Sequence, residues 1–290
     1  MPPTLELFRG DITTLAVDAI VNAAGQTAIG PGVGLPAKYV IHAAGPSWHA
    51  RGTEGVELAR MYRNSFALGE EHGIRSIAFP AIGDAFPPGP AASIAVREAR
   101  AAEVDRVIFA LVSDDAAAAY ERALRDDAPE WITVIRGGIK TKAEVHRDGD
   151  WHVAAHIWIV APDGRVLVQR RSTQKENWPG YWDVSAAGHV SAGETTIEAA
   201  IRETHEELGL RLAPEELERI GAAREQSVLR DGTYIDNEEH EIFVVQREVD
   251  LGELKLQEGE VDEVMLASLD RLPEPLVPHE VEYQLLRGSG

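Results

Sequence analysis

The chain contains no cysteine. That removes disulfides, thiolate-bound zinc and thiol nucleophiles from consideration. Positive charge is also scarce. Against 48 Asp and Glu stand only 28 Lys and Arg, a net charge of -20 over 290 residues. A broad acidic field repels phosphate backbones and anionic surfaces, so neither nucleic acid nor a membrane is an expected partner. Small phosphate ligands stay open, since a few basic groups or a metal can hold them. No apolar run is long enough to cross a bilayer, and the opening "MPPTLELFRGD" lacks the pattern of a signal segment. The expectation is a cytoplasmic protein. What is present is 44% hydrophobic residues, enough for a sizeable core or two. The length suggests two domains.

In the first half, short apolar runs alternate with amphipathic stretches. "AVDAIVNAA", "AKYVIHAA", "SIAFPAI", "RVIFALV" and "WITVI" read as buried strands, and "ARMYRNSFALGEEHG", "AASIAVREARAAE" and "AAAAYERALRD" as helices between them. That alternation predicts an α/β layered domain. The polar stretch Arg136–Asp150 reads as the boundary, giving domains 1–138 and 139–290. In the second half, "HVAAHIWIVAP" and "RVLVQRRS" flank an Asp-Gly turn as a strand pair. "GYWDVSAAGH" and "EHEIFVVQREV" are further extended stretches, and "PHEVEYQLLR" reads as a closing helix. One long helix among strands predicts a mixed sheet with helices packed on it.

That helix lies in "GHVSAGETTIEAAIRETHEELGL", Gly188 to Leu210. Thr195 and Glu198 form a capping box, and Gly209 is placed to end it. Ile197, Ala200, Ile201, Thr204 and Leu208 make the predicted core stripe. Glu203, Glu206 and Glu207 then fall at i, i+3 and i+4, where like charges repel. By itself such a pattern reads as a solvated acidic face paired with Arg202. The wider spacing decides otherwise. Gly188, Glu194, Arg202, Glu203, Glu206, Glu207 and Gly209 fit G-x5-E-x7-R-E-x-x-E-E-x-G at every fixed position. At residue frequencies near ~7%, seven matches arise by chance on the order of 10⁻⁸ times per start position.

This stretch resembles the Nudix box, the signature of the Nudix hydrolases, with one soft departure at Thr204, where an aliphatic residue is usual. The resemblance implies a Nudix α/β/α sandwich with a mixed sheet. It implies Mg2+, or alternatively Mn2+, held by Glu203, Glu207 and the Gly188 carbonyl. Glu206 would assist, Arg202 would orient the carboxylates, and a flanking carboxylate, left open, would act as general base. Hard cations take carboxylate and phosphate oxygens, so carboxylates that repel when alone become a cage. Such an ion neutralises phosphate charge and activates water.

The flanks "EVHRDGDWHVAAHIWIV", "VLVQRRSTQKENWPGYWDVSAAGH" and "NEEHEIF" resemble the Nudix branch related to isopentenyl-diphosphate isomerase. That resemblance implies a second metal site of three histidines and two glutamates, matched here by His152, His189, Glu239 and Glu241. His146 fits less well, because its spacing to His152 differs. Arg171 and Lys175 match the isomerase's diphosphate anchors. The isomerase also needs a cysteine where Ala187 stands and a tryptophan where Leu266 aligns. With half its acid pair missing and every Nudix glutamate kept, the expected chemistry is hydrolysis of a diphosphate, not isomerisation. "NWPGYW" supplies aromatic surface that could stack a base, line a lipid pocket or fill core.

"FRGDITTLAVDAIVNAAG", "LPAKYVIHAAGPSW" and "SIAFPAIG" resemble a macro domain, the ADP-ribose-binding module, over about residues 5–137. The resemblance implies an α/β/α fold, with Asp11 on the adenine amino group and Ile12 on the ring through its backbone. Asn22 matches the first family asparagine, but Gly25 stands at the second. The Gly-rich segment is cut to "QTAIGPGVG", and the second phosphate loop reads "AIGDAFPPGP", with Asp84 and prolines that oppose an anion nest. The expectation is a macro-like domain without hydrolase activity and with most ADP-ribose affinity lost. It would serve dimer contacts or packing. The expected substrate is a small diphosphate: a nucleoside diphosphate or a compound linked to one, such as ADP-ribose. The alternatives are an isoprenoid diphosphate, or an ADP-ribose-binding module with a non-catalytic partner domain.

Overall fold

The computed structural model describes residues 2–23, 27–83, 85–125 and 127–278, and the backbone of 281–285. The chain divides into two compact units, Met1–Thr141 and Lys142–Gly290.

The first unit contains β1 (Thr4–Arg9), β2 (Ala19–Ala23), β3 (Ala28–Pro31), β4 (Tyr39–Ala43), α1 (Glu54–Glu71), β5 (Ser76–Pro80), α2 (Pro88–Arg100), β6 (Arg106–Leu111), α3 (Asp114–Ala123) and a hairpin of β7 (Trp131–Val134) with β8 (Gly138–Thr141). Among the described residues the main sheet runs β1-β6-β5-β2-β4-β3. It is parallel except for β3, which folds back antiparallel on β4. Near-continuous apolar runs in β2, β5 and β6 fit strands covered on both faces. On one side, Phe79 packs 5.0 Å from Tyr62 and 5.1 Å from Phe66, and Phe109 lies 4.7 Å from Tyr120. The two buried phenols satisfy each other at 3.3 Å. On the other, Val17, Ile20, Ala37, Ala78 and Ile108 form a second cluster. Asp18 ties together the N-terminal ends of β2, β4 and β5. Its carboxylate accepts from the Arg75 and Ser76 N–H groups and the Ser76 hydroxyl, and forms an ion pair with Lys38.

The second unit contains α4 (Lys142–Asp148), β9 (Trp151–Val160), β10 (Val166–Arg171), β11 (Trp182–Asp183), β12 (Ala186–His189), α5 (Thr196–Leu208), β13 (Glu218–Leu229), β14 (Tyr234–Gln246), β15 (Val261–Ala267) and β16 (Val281–Leu285). The central pair, β9 and β14, is parallel. Antiparallel β13 lies on β14, β16 on β13, β12 on β9, and β11 and β15 on β10. The sheet is mixed, as the sequence suggests.

Three differences from the sequence reading stand out. The segment read as a closing helix is strand β16, in register with Gly221–Glu225 of β13. Its V-E-Y-Q-L pattern alternates with period two, and a free strand edge rewards that alternation. The polar boundary stretch holds helix α4, and β13 had no sequence assignment. The strand pair joined by the Asp163-Gly164 turn forms as read, with Val166 paired to Val160 and the Ala161 N–H donating to the Arg165 carbonyl at 2.8 Å, and beyond that pairing the strands splay. Buried Ser185 fills the split, accepting from the Ile159 N–H at 2.8 Å and donating to the Leu167 carbonyl at 2.6 Å.

Helix α5 packs its buried face on Ala155, Ile157, Ile159, Phe243 and Val245. Residues on alternate positions of a strand point to opposite faces. His152, Ala154 and His156 of β9 therefore face away from α5, as do Asp236, Glu238 and His240 of β14.

Candidate active site

The capping box of α5 is formed as read: Thr195 accepts from the Glu198 N–H, and Glu198 from the Thr195 N–H. Gly209 closes the helix in the left-handed region at φ 69. The core stripe differs in two places. Ile197 is exposed, and Ala199 takes its place. Glu207 joins the buried face, at 6% exposure. The helix therefore turns a carboxylate, not only alkyl groups, toward the sheet.

Glu207 Oε2 accepts from the Gln169 side-chain amide at 3.1 Å and from the Ala187 N–H at 3.2 Å. Burial and the neighbouring Glu203 carboxylate push its pKa up to about 8, against the opposing pull of those two donors and of Lys175. Glu203 folds over β12. A Cβ at Gly188 would lie 2.1 Å from its Cδ, so only glycine admits the carboxylate there. Arg202 holds the group in order. Its guanidinium forks onto Glu194 at 2.8 and 2.9 Å, reaches Glu203 at 2.7 Å and Glu206 at 3.0 Å, and donates to the His189 carbonyl at 3.0 Å. Burial opposes its charge, but these carboxylates outweigh burial and hold it firmly protonated. Glu206 is the outermost, its side chain 47% exposed. Two adjacent carboxylates, one of them buried, beside a glycine backbone make a fitting seat for a hard divalent cation.

Arg171 and Lys175 are both engaged within the protein. Arg171 donates to Asp183 at 3.1 Å and to the Asn177 carbonyl at 3.2 and 3.3 Å, and Lys175 pairs with Glu260. In "NWPGYW", Trp182 is core, while Trp178 and Tyr181 are half-buried with rings 5.4 Å apart. Leu266, on β15, packs against the core beneath α5.

On the face away from α5, His146, His152, His189 and Asp236 each present a ligand atom within 4.8 Å of the others. His146 Nδ1 donates to the Lys142 carbonyl at 2.7 Å, and His152 Nδ1 to the Asp150 carbonyl at 3.0 Å. Those bonds turn each Nε2 inward, where His146 Nε2 and Asp236 Oδ1 stand 3.2 Å apart without hydrogen-bond geometry. Outer carbonyls fixing the tautomer and inner nitrogens facing one another are an arrangement that could hold a metal ion. Glu238 Oε1 adds to it, 3.2 Å from His189 Nε2 and 3.6 Å from His152 Nε2. These imidazoles outweigh the burial of Glu238 and hold its carboxyl well below the usual range.

The expected glutamates of this cluster, Glu239 and Glu241, are not in it. They project on the α5 face, where Glu239 pairs with Arg224 at 2.8 Å and Glu241 with Arg219 at 3.2 Å and the Thr196 hydroxyl at 2.7 Å. A one-residue slip along a strand reverses every side chain. The acidic run "DNEEHE" offers two registers, and the β9–β14 pairing of His152 with Glu238 selects the other. His146 enters because α4 carries it over the sheet, a placement that spacing from His152 does not reveal.

The NUDIX domain family matches residues 150–285, and the Macro domain family matches residues 10–95. The second unit is 31% identical to an uncharacterized Nudix hydrolase of Listeria monocytogenes, over 48% of this chain and 76% of that protein. The chain belongs to the Nudix hydrolases.

It also carries a macro domain. A macro domain-containing protein of Ralstonia nicotianae is 40% identical over 42% of this chain and 95% of its own length. Nudix hydrolase 3 of Arabidopsis thaliana is 43% identical over 131 residues, but this chain spans only 17% of that protein. The Nudix hydrolases act on diphosphate bonds. The α5 stretch lies within the residues that the NUDIX domain family matches.

In the macro unit of this Nudix protein, Asp11 is exposed and its Oδ1 accepts from the Thr13 N–H at 2.9 Å. Ile12 packs on the cluster around Ile20 and Ile108. Asn22 Nδ2 lies 3.3 Å from His42 Nδ1. The shortened segment after it becomes edge strand β3. Gly25, Gln26 and Asp84 lie outside the described residues. Pro88 and Pro90 occupy the first turn of α2, where proline is accommodated but supplies no N–H to an anion.

Proposed function

We propose that this protein is a Mg2+-dependent Nudix pyrophosphohydrolase that cleaves a small diphosphate, a nucleoside diphosphate or a compound linked to one, with ADP-ribose the foremost candidate. The observation that carries this reading is the seat formed by buried Glu207, Glu203 and the glycine backbone at Gly188. Without a cation there, two adjacent carboxylates repel inside the fold.

Glu203, Glu207 and the Gly188 carbonyl would hold the ion, with Mn2+ as a substitute. When bound, it supplies charge neutralisation for a diphosphate and acidifies a water. Arg202 fixes Glu203 and Glu206 and braces the backbone beside Gly188. Gln169 and the Ala187 N–H aim the Glu207 carboxylate. Lys175 and Arg171, on the neighbouring segment, are the cations available to diphosphate oxygens once their present partners are exchanged. Ala187 places a methyl where the isomerase-type reaction needs an acid, which supports hydrolysis. The macro unit on the same chain supports an ADP-ribose-like substrate.

A second reading, hydrolysis of an isoprenoid diphosphate, is favoured by the set of buried His146 and His152 with partly buried His189, Asp236 and Glu238, the donor types that the isomerase resemblance implies. One screen separates the two. Phosphate and nucleotide release would be followed with Mg2+ and Mn2+ over nucleoside diphosphates, ADP-ribose and isopentenyl diphosphate, comparing wild type with Glu207→Gln. Turnover that Glu207→Gln leaves unchanged would remove the hydrolase reading altogether.

A further inference from the structure

We propose that the sheet face away from α5 holds a second, separate cation position beside the His146 cluster, and that the Glu238 carboxylate bridges the two as a dinuclear centre. The residues of the added position are His156, His240 and Glu225, with the outer oxygen of Glu238. The ions it suits are first-row divalent transition metals such as Mn2+, Co2+ or Zn2+.

The two oxygens of Glu238 point to different groups. Oε1 lies 3.2 Å from His189 Nε2 and 3.6 Å from His152 Nε2, within the first cluster. Oε2 lies 2.8 Å from His240 Nε2, in the opposite direction along the strand. His156, Glu238 and His240 each present a ligand atom within 4.8 Å of the others. The His156 and His240 rings stack at 3.7 Å and 20°, so His156 must turn its ring to bring its in-plane lone pair to an ion held by His240. Glu225 stands directly opposite Glu238 in the β13–β14 ladder, and its Oε2 is 3.9 Å from His240 Nε2. Ser227 donates to the other oxygen of Glu225 at 3.0 Å and so orients it. All four side chains are buried or nearly so.

Donor atoms bound to one ion at about 2.0–2.2 Å sit roughly 3 Å apart, which matches the separations around His240. A mixed imidazole and carboxylate set selects borderline transition ions over Mg2+, which prefers oxygen and retained water. The donors come from adjacent strands β9, β13 and β14, so the frame is rigid before any ion arrives. A carboxylate shared between two groups of imidazoles is the usual link of paired ions about 3.5–4 Å apart. The α5 carboxylates belong to the other face and take no part.

The inference rests on the reading of the His146 cluster as a metal centre, and the test separates the two. Full-length chain carrying Glu203→Gln and Glu207→Gln, which silences the α5 seat, would be titrated with Mn2+ and examined by metal analysis and electron paramagnetic resonance. The expected result is about two ions per chain with an exchange-coupled spectrum. His240→Ala should leave about one ion with the hyperfine pattern of isolated Mn2+. His156→Gln, checked for folding by circular dichroism, should do the same. About one uncoupled ion, untouched by either variant, would overturn the dinuclear centre and leave the His146 site standing. No ion at all would overturn both, while Mg2+ binding by the wild-type α5 seat would remain measurable on its own.

Discussion

The Gln169 side-chain amide donates to Glu207 Oε2 at 3.1 Å, and both residues are buried. β10 thus reaches across to α5 and fixes one oxygen of the carboxylate through a neutral donor. A neutral donor orients the group without cancelling the charge a cation needs.

The first prediction follows from that contact. Gln169→Leu should weaken activation by Mg2+ by about 10–100-fold, the usual effect of losing an outer partner of a metal ligand. A Mg2+ titration of phosphate release would measure it, and an unchanged midpoint would show that Gln169 does not position Glu207. The metal-free protein should also respond to pH. The Glu207 carboxyl sits at about 8 in the fold, against an ordinary 4.5 when unfolded. The folded state therefore binds the proton more tightly, and stability falls as pH rises from about 4.5 through about 8. At ~1.4 kcal/mol per unit the loss is on the order of a few kcal/mol. Melting temperature in chelator should fall over that window, and Glu207→Gln should flatten the slope.

Gly188→Ala tests the close approach of Glu203. The new Cβ would meet the Glu203 carboxylate and displace it, since the backbone of β12 is held by its ladder to β9. Turnover should drop by roughly 100-fold, in keeping with a misplacement of about an ångström in a site. Melting temperature should change little, because a side-chain end can move while the strand stays. Full activity in this variant would place the cation elsewhere.

Arg202→Lys keeps the charge but loses the fork onto Glu194 and the simultaneous reach to Glu203, Glu206 and the His189 carbonyl. An ammonium cannot serve that many directions at once. Stability should fall by about 2–3 kcal/mol, as expected for charge-assisted hydrogen bonds lost at partly buried carboxylates. Denaturant unfolding would read the loss, and wild-type stability would mean the network is redundant.

Asp18 predicts the acid response of the macro unit. Lys38 first, and then Ser76 and the Arg75 and Ser76 N–H groups, lower its pKa to about 2 from 3.8. The stabilisation is present above about 3.8 and is lost as pH falls through about 2. Since Lys38 is largely exposed, the contribution is discounted to about 1–2 kcal/mol. Asp18→Asn should lower stability by that amount at neutral pH and leave it nearly unchanged near pH 2, measured by urea unfolding.

Much of the fold was legible because it rests on local patterns. The apolar runs of β2, β5, β6 and β9, and the cap and stop of α5, are written within a few residues each. Strand β16 is not legible in the sequence because a short V-E-Y-Q-L segment has no preference strong enough to name its own partner. Its partner, the edge of β13, lies some sixty residues earlier in the chain. The exposed Ile197 and buried Glu207 show the same limit within one helix. Periodicity says which residues share a face, and only packing says which face is covered.

What the sequence determined by itself is the grouping of charged side chains on α5. Glu203, Glu206, Glu207, Arg202 and Gly188 are bound to one another by helical spacing and one short strand, so their assembly needs little from the rest of the chain. What the tertiary structure decided is the other face of the sheet. His146 arrives on α4, His189 on β12, and Asp236 and Glu238 on β14, and the register of β14 on β9 sets Glu238 rather than Glu239 against the histidines. Because a strand alternates its side chains, one residue of register separates a carboxylate in the cluster from one on the opposite face, and that register is fixed by pairing across the sheet, not by any local preference.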